Sequence, residues 1–176
     1  MLLRKINAGI SLLCTLLLLD HAIFHAAWML SGGSIEKSAD SLPWILFLLM
    51  MVHAVISIVL AFLGHKGAEK RKCKNYPRRN VSTVVQRVSG MAMILFAVQH
   101  VLGVNGLWPM PMPVHAVLPP LFFVIALSHM AVSVSKALIT LGVGNARFVK
   151  TADVIIKVLC GVTLIADIAG FYLYVL

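Results

Sequence analysis

Five histidines, His21, His25, His53, His100 and His129, sit inside long runs of Leu, Ile, Val, Ala, Met and Phe. An imidazole in such company is costly to bury unless it finds a partner. Neutral imidazole offers three kinds of partnership: a hydrogen bond to a neighbouring helix, relay of a proton, or ligation of a metal through a ring nitrogen. A lone histidine needs only the first. His21, His53, His100 and His129 fall on four successive apolar runs and call for an explanation that uses them together. His65 and His115 lie at the edges of runs and are expected to be solvated.

The runs themselves set what positions these side chains. The chain has 176 residues, of which 60% are hydrophobic and 12% charged. Soluble domains sit near ~45–50% and ~25%. Mean hydropathy is +0.96. A soluble fold of this size would leave much apolar surface in water, and disorder requires low hydrophobicity and high charge. Five runs, at roughly 5–30, 42–64, 83–105, 116–141 and 151–175, are each long enough to cross ~30 Å of hydrocarbon as a helix. SGGSIEKSADS, HKGAEKRKCKNYPRRN, NGLWPMPMPVH and GVGNARFVK separate them. The first run outlasts a signal-peptide core and meets no small-residue cleavage site, so it is read as a retained helix. The expected fold is all-α: a five-helix transmembrane bundle forming a single membrane-anchor domain over 1–176.

The charge, +9 overall, is read as topology. Arg4, Lys5, Lys66, Lys70, Arg71, Lys72, Lys74, Arg78, Arg79, Arg147 and Lys150 flank alternate ends of the runs, and Lys37 alone sits in the opposing loops. The positive-inside bias places the N-terminus in the cytoplasm and the C-terminus outside. The basic second loop also suits docking of a soluble partner. Nothing in the pattern requires nucleic acid.

Depth then sorts the histidines. His21 lies 17 residues beyond Arg4, and His100 lies 17 beyond Thr83. Both helices start inside, which puts both histidines ~25 Å from the inner helix ends. His53 precedes His65 by 12 residues, and His129 precedes Leu141 by 12, in helices that end inside. Both of these sit at ~18 Å, nearer the middle. Two depth-matched pairs result, an outer pair (His21 with His100) and an inner pair (His53 with His129). Two imidazoles facing across a bundle can supply both axial ligands of a haem, which then carries electrons and has no open site for oxygen. Zinc would want four ligands at one depth. Proton-relay histidines remain a rival. Cys14, Cys73 and Cys160 are far apart, with no CxxC and no CxxCH, so covalent haem attachment has no support.

The order of these motifs resembles the five-helix, two-haem cytochrome b subunit of succinate dehydrogenases and fumarate reductases. The sharpest likeness is VVQRVSGMAMILFAVQHVLG, because that family has QRxTG or QRxSG at the start of its third helix and a ligating histidine 13 residues after the Arg, here Arg87 and His100. VHAVISIVLAF resembles the second-helix segment around His53. SHMAVSVSKALITLGV resembles the fourth-helix segment around His129, and LLLLDHAIFH the first-helix segment, pointing to His21. The likeness spans the chain, whose third loop is shorter than the family's. His25 remains an alternative to His21, and depth favours His21 as the partner of His100.

The resemblance implies two haem b groups, a menaquinone or other quinone as substrate, and a multi-pass place in a bacterial inner (cytoplasmic) membrane. It also implies partners on the cytoplasmic face: a flavoprotein with FAD and an iron–sulfur subunit. The chain would then be a non-catalytic electron-transfer subunit, and it lacks a GxGxxG fingerprint and a cysteine cluster of its own. Haem propionates seek donors near the membrane edge, which makes Arg87 and Lys136 candidates, with Asn7 and Ser89 behind them. Each cation could instead snorkel to lipid. His25, Glu36 and Asp20 are candidates for a quinone site near the outer haem. Asp167, within the fifth helix, should have a partner that the sequence does not name. Asp153 and Lys157 need only a local ion pair. The alternatives are a cytochrome b of another membrane dehydrogenase or a hydrogenase, and a haem-free proton-coupled carrier.

Overall fold

The computed structural model describes residues 2–34, 41–68, 77–108, 111, 114 and 116–175, with backbone only at 41, 64–68, 77–80, 82 and 175. Five helices account for nearly all of it: α1 (Leu2–Leu30), α2 (Ser41–Ala68), α3 (Pro77–Val104), α4 (Leu118–Leu141) and α5 (Ala146–Val175). Among the described residues there is no strand. Each helix holds an apolar stretch of 22 to 29 residues, long enough to cross a membrane. Helices satisfy their own backbone, which is what a segment in hydrocarbon requires.

The apolar stretches agree closely with the sequence reading, but several helix ends reach further. α3 begins at Pro77 and α5 at Ala146, ahead of the runs expected from 83 and 151. Hydropathy locates the part of a helix that can sit in lipid, whereas local chemistry sets where it begins. Proline at the first helical position loses no hydrogen bond. At α5, the Asn145 side-chain oxygen accepts the Phe148 backbone N–H at 2.9 Å, an N-terminal cap. α4 starts on prolines and stops at Gly142, whose φ of 73° is the left-handed conformation that glycine adopts without penalty. The Val143 N–H then closes back on the Leu138 carbonyl at 3.1 Å.

The helices alternate in direction. Asn7 near the start of α1 meets Ser57 late in α2, and Gln86 early in α3 meets Ser133 late in α4. The Trp28 and Tyr174 rings, at the ends of α1 and α5, meet tilted at 4.8 Å, so those two helices run parallel. α4 is central, packed against α1, α3 and α5. Its buried side includes Ala126, Met130, Val134 and Leu138, spaced every fourth residue, with Ser133 and Ala137 beside them. Small residues let helix backbones approach closely where hydrophobic exclusion gives no help. α2 and α3 barely touch, which leaves space among α1 to α4. Large apolar side chains such as Leu16, Leu48, Leu95 and Ile165 point out from the bundle, each more than 60% exposed. In water such a surface would be a liability; against lipid chains it is the expected finish.

Candidate functional site

The space among α1 to α4 is a cavity of about 760 Å³, and both His53 and His129 line it. Cofactor and small-molecule pockets run to ~300–1,000 Å³. The two imidazoles lie within electrostatic reach of each other, on helices that do not follow one another in the chain. Met50, Met93 and Met130 contribute soft apolar wall. Arg4, Arg87 and Lys136 also line the cavity, at the pole that holds the N-terminus, and no Asp or Glu does so among the described residues. The cavity is therefore apolar in its body and cationic at one pole.

The QRxSG stretch of α3 works on α4. Lys136 Nζ donates to Gln86 Oε1 at 2.8 Å, and Gln86 Nε2 donates to Ser133 Oγ at 3.3 Å. Ser133 in turn donates to the His129 carbonyl at 2.6 Å. Ser89 Oγ lies 3.0 Å from His129 Nδ1. At Gly90 a Cβ would come within 3.0 Å of His129 Cε1, so only glycine leaves the ring its place. Gln86, Ser89 and Gly90 thus occupy one face of α3 and grip the fourth helix around its histidine. Arg87, off that face, is exposed and reaches the cavity from its edge.

On the other wall, Asn7 Nδ2 donates to Ser57 Oγ at 3.0 Å, and Ser57 Oγ is 3.5 Å from His53 Nε2. His53 Nδ1 and Asn7 Oδ1 are buried with no hydrogen-bond partner. Buried polar atoms left orphaned are uncommon.

The second set of histidines gathers toward the opposite pole. His100 lies within electrostatic reach of both His21 and His25. Its ring tilts against Phe122 at 5.5 Å, and Phe122 stacks on Phe96 with planes 9° apart. His25 is committed elsewhere. It stacks on His21 and on Trp28, each at 6.3 Å, and tilts against Phe123 at 5.8 Å. Its Nδ1 is 3.8 Å from Asp167 Oδ1, and Asp167 is 0% exposed. That is the partner of Asp167 for which the sequence offers no name. No motif links the two; only the parallel packing of α1 on α5 brings them together.

Of the remaining expected residues, Asp20 is exposed on the surface of α1, away from the buried face that includes Leu18 and Leu19. Glu36, His115 and the side chain of His65 lie outside the described residues. Asp153 and Lys157 form the expected i,i+4 pair. Arg4, read from the sequence only as a topology charge, lines the cavity, and Gln86 and Ser133 were not singled out. Their signal was there in the spacing, because Gln86, Ser89 and Gly90 fall within about one turn of α3 and His129, Ser133 and Lys136 fall on one side of α4. Among the described residues, no three His, Cys, Asp or Glu side chains gather as a metal-holding group.

Compared with known proteins, the chain matches no family model, no curated protein and no solved structure.

Proposed function

We propose that this chain is a dihaem cytochrome b membrane anchor of the succinate dehydrogenase or fumarate reductase type. In this reading its N-terminus is cytoplasmic. It passes electrons between a quinone pool and cytoplasmic iron–sulfur and FAD-containing subunits. One observation carries the proposal: His53 of α2 and His129 of α4 line one apolar cavity with a cationic pole, and His21 of α1 and His100 of α3 lie within electrostatic reach of each other toward the opposite pole.

The inner site fits an amphipathic, dianionic macrocycle held between two imidazoles. It has the volume, the apolar body, two facing histidines and the cationic pole. His53 on α2 and His129 on α4 would hold the iron. Arg4, Arg87 and Lys136 would take the carboxylate end, since guanidinium and ammonium form charge-assisted pairs with carboxylate. Asn7 and Ser89, the further propionate candidates, also hydrogen-bond within the walls, Asn7 to Ser57 and Ser89 to His129. At the outer site His21 and His100 are the ligands, flanked by the flat Phe96–Phe122 stack, while Asp167 occupies His25. A b haem held by each pair would supply one-electron exchange. The quinone site is proposed near the outer pair, with His25, Glu36 and Asp20 as its candidates.

The test is the pyridine haemochromogen spectrum of the purified full-length chain, combined with mass spectrometry of co-purifying proteins. Two non-covalent b haems per chain, with a flavoprotein and an iron–sulfur protein in the complex, are expected. Haem with a hydrogenase or a different dehydrogenase would move the chain to another membrane complex. A second reading, a haem-free proton-coupled carrier, draws on the buried Asp167–His25 pair. A chain without a Soret band favours that reading.

A further inference from the structure

A histidine can ligate a metal through Nε2 only if that nitrogen keeps its lone pair, and which nitrogen does so is set by the partner of the other. The surroundings of His129 decide the matter through Ser89. Ser89 Oγ lies 2.6 Å from the Val85 carbonyl oxygen and 3.3 Å from that of Gln86. Carbonyl oxygens only accept, and a hydroxyl has one proton to give. That proton is committed to the backbone of α3. Toward His129 Nδ1, at 3.0 Å, Ser89 therefore presents a lone pair, and Nδ1 must be the donor. Neutral imidazole that carries its proton on Nδ1 has its lone pair on Nε2.

We propose that Ser89 is a positioning residue that fixes His129 in the Nδ1–H tautomer and so presents Nε2 as a ligand. The rest of the grip fixes the ring in space. Ser133 holds the His129 carbonyl, Gln86 holds Ser133, and Gly90 supplies the room the ring occupies. The facing histidine has no such arrangement: His53 Nδ1 is buried without a partner, and its Nε2 is 3.5 Å from Ser57. What Nε2 binds rests on the haem reading above; the tautomer does not.

Two measurements on the full-length chain test this. In chain prepared without haem and labelled with ¹⁵N-histidine, ring-nitrogen shifts should report Nδ1–H for His129. Ser89→Ala should mix or reverse that tautomer, and Ser89→Thr should keep it. In haem-loaded chain, Ser89→Ala should weaken retention of the inner haem by about 10–100-fold, the usual effect of removing a ligand's orienting partner. It should also shift that haem's potential upward, because the Nδ1–H bond makes the ligand more basic and favours ferric iron. Ser89→Thr should restore both. An Nε2–H tautomer in the unsubstituted chain, or Ser89→Ala indistinguishable from it in ring shifts, overturns the proposal. A chain that shows Nδ1–H and its loss in Ser89→Ala, yet binds no haem under any condition, supports the role of Ser89 and refutes the haem reading instead.

Discussion

Gly90→Ala is a one-carbon perturbation aimed at the inner site. The added Cβ would stand 3.0 Å from His129 Cε1. Carbon–carbon contacts are most favourable near ~3.5–4.0 Å, so the ring must retreat by roughly 0.5 Å. Overpacking of this kind costs ~1–3 kcal/mol. Alanine in place of a helical glycine returns about 1 kcal/mol. The net loss of stability is then between zero and ~2 kcal/mol, and the bundle should fold. The site is less forgiving, because ligands have to be held to about 0.5 Å. The displacement equals that tolerance. Inner-haem affinity should fall about 10–100-fold, equivalent to ~1.4–2.8 kcal/mol, while the outer haem is untouched. Haem stoichiometry, followed by a redox titration at the α-band, reads the effect. Gly90→Val should lose the inner haem altogether. If Gly90→Ala and Gly90→Val both keep two haems with unchanged potentials, the ring of His129 is not where binding occurs.

Arg87→Leu should lower the midpoint of the inner haem in a redox titration, because losing a nearby positive charge favours the ferric form. Arg87 is exposed, so the ~0.2–1 kcal/mol typical of exposed charge pairs, on the order of 10–40 mV, is the expected size. His25→Leu should lower thermal stability in detergent by the equivalent of about 1–3 kcal/mol, since it strands the Asp167 carboxyl, 0% exposed, without its only ion-pair partner among the described residues. Adding Asp167→Ala should recover most of that loss; no recovery would mean that the pair is not coupled. Glu36→Gln should slow quinone turnover with both haems retained, and electron transfer to the cytoplasmic subunits should respond to membrane potential at ~2.3 kcal/mol per charge per 100 mV. Neutral effects of both Glu36→Gln and His25→Ala on turnover would remove the outer quinone site.

The helices and the histidine sets were legible in the sequence for one reason. A helix rises a fixed 1.5 Å per residue, so counting from a charged end measures depth. That is enough to expect His53 at the depth of His129 and His21 at the depth of His100 without knowing how the helices pack. Helix ends were less legible, because Pro77 and Asn145 start helices in polar sequence where hydropathy gives no signal. Rotation about the helix axes was not legible at all. Whether His25 faces His100 or α5 depends on which helix lies alongside α1, and the contact with Asp167 follows from packing between the first and last elements of the chain. Ser89 illustrates the same limit on a smaller scale. Its type and position suggested a donor to an anion, whereas its hydroxyl proton stays on its own helix and its oxygen meets an imidazole.

The central claim is that the two facing pairs each hold one haem, and pairwise removal tests it most directly. Low-temperature visible spectra and redox titrations of His53→Ala, His129→Ala, His21→Ala and His100→Ala, each in the full-length chain, would be compared with the unsubstituted protein. The first two should lose one and the same haem, and the last two the other, leaving a single low-spin component of unchanged potential each time. Loss of different haems from His53→Ala and His129→Ala, or two haems remaining in all four variants, would contradict it.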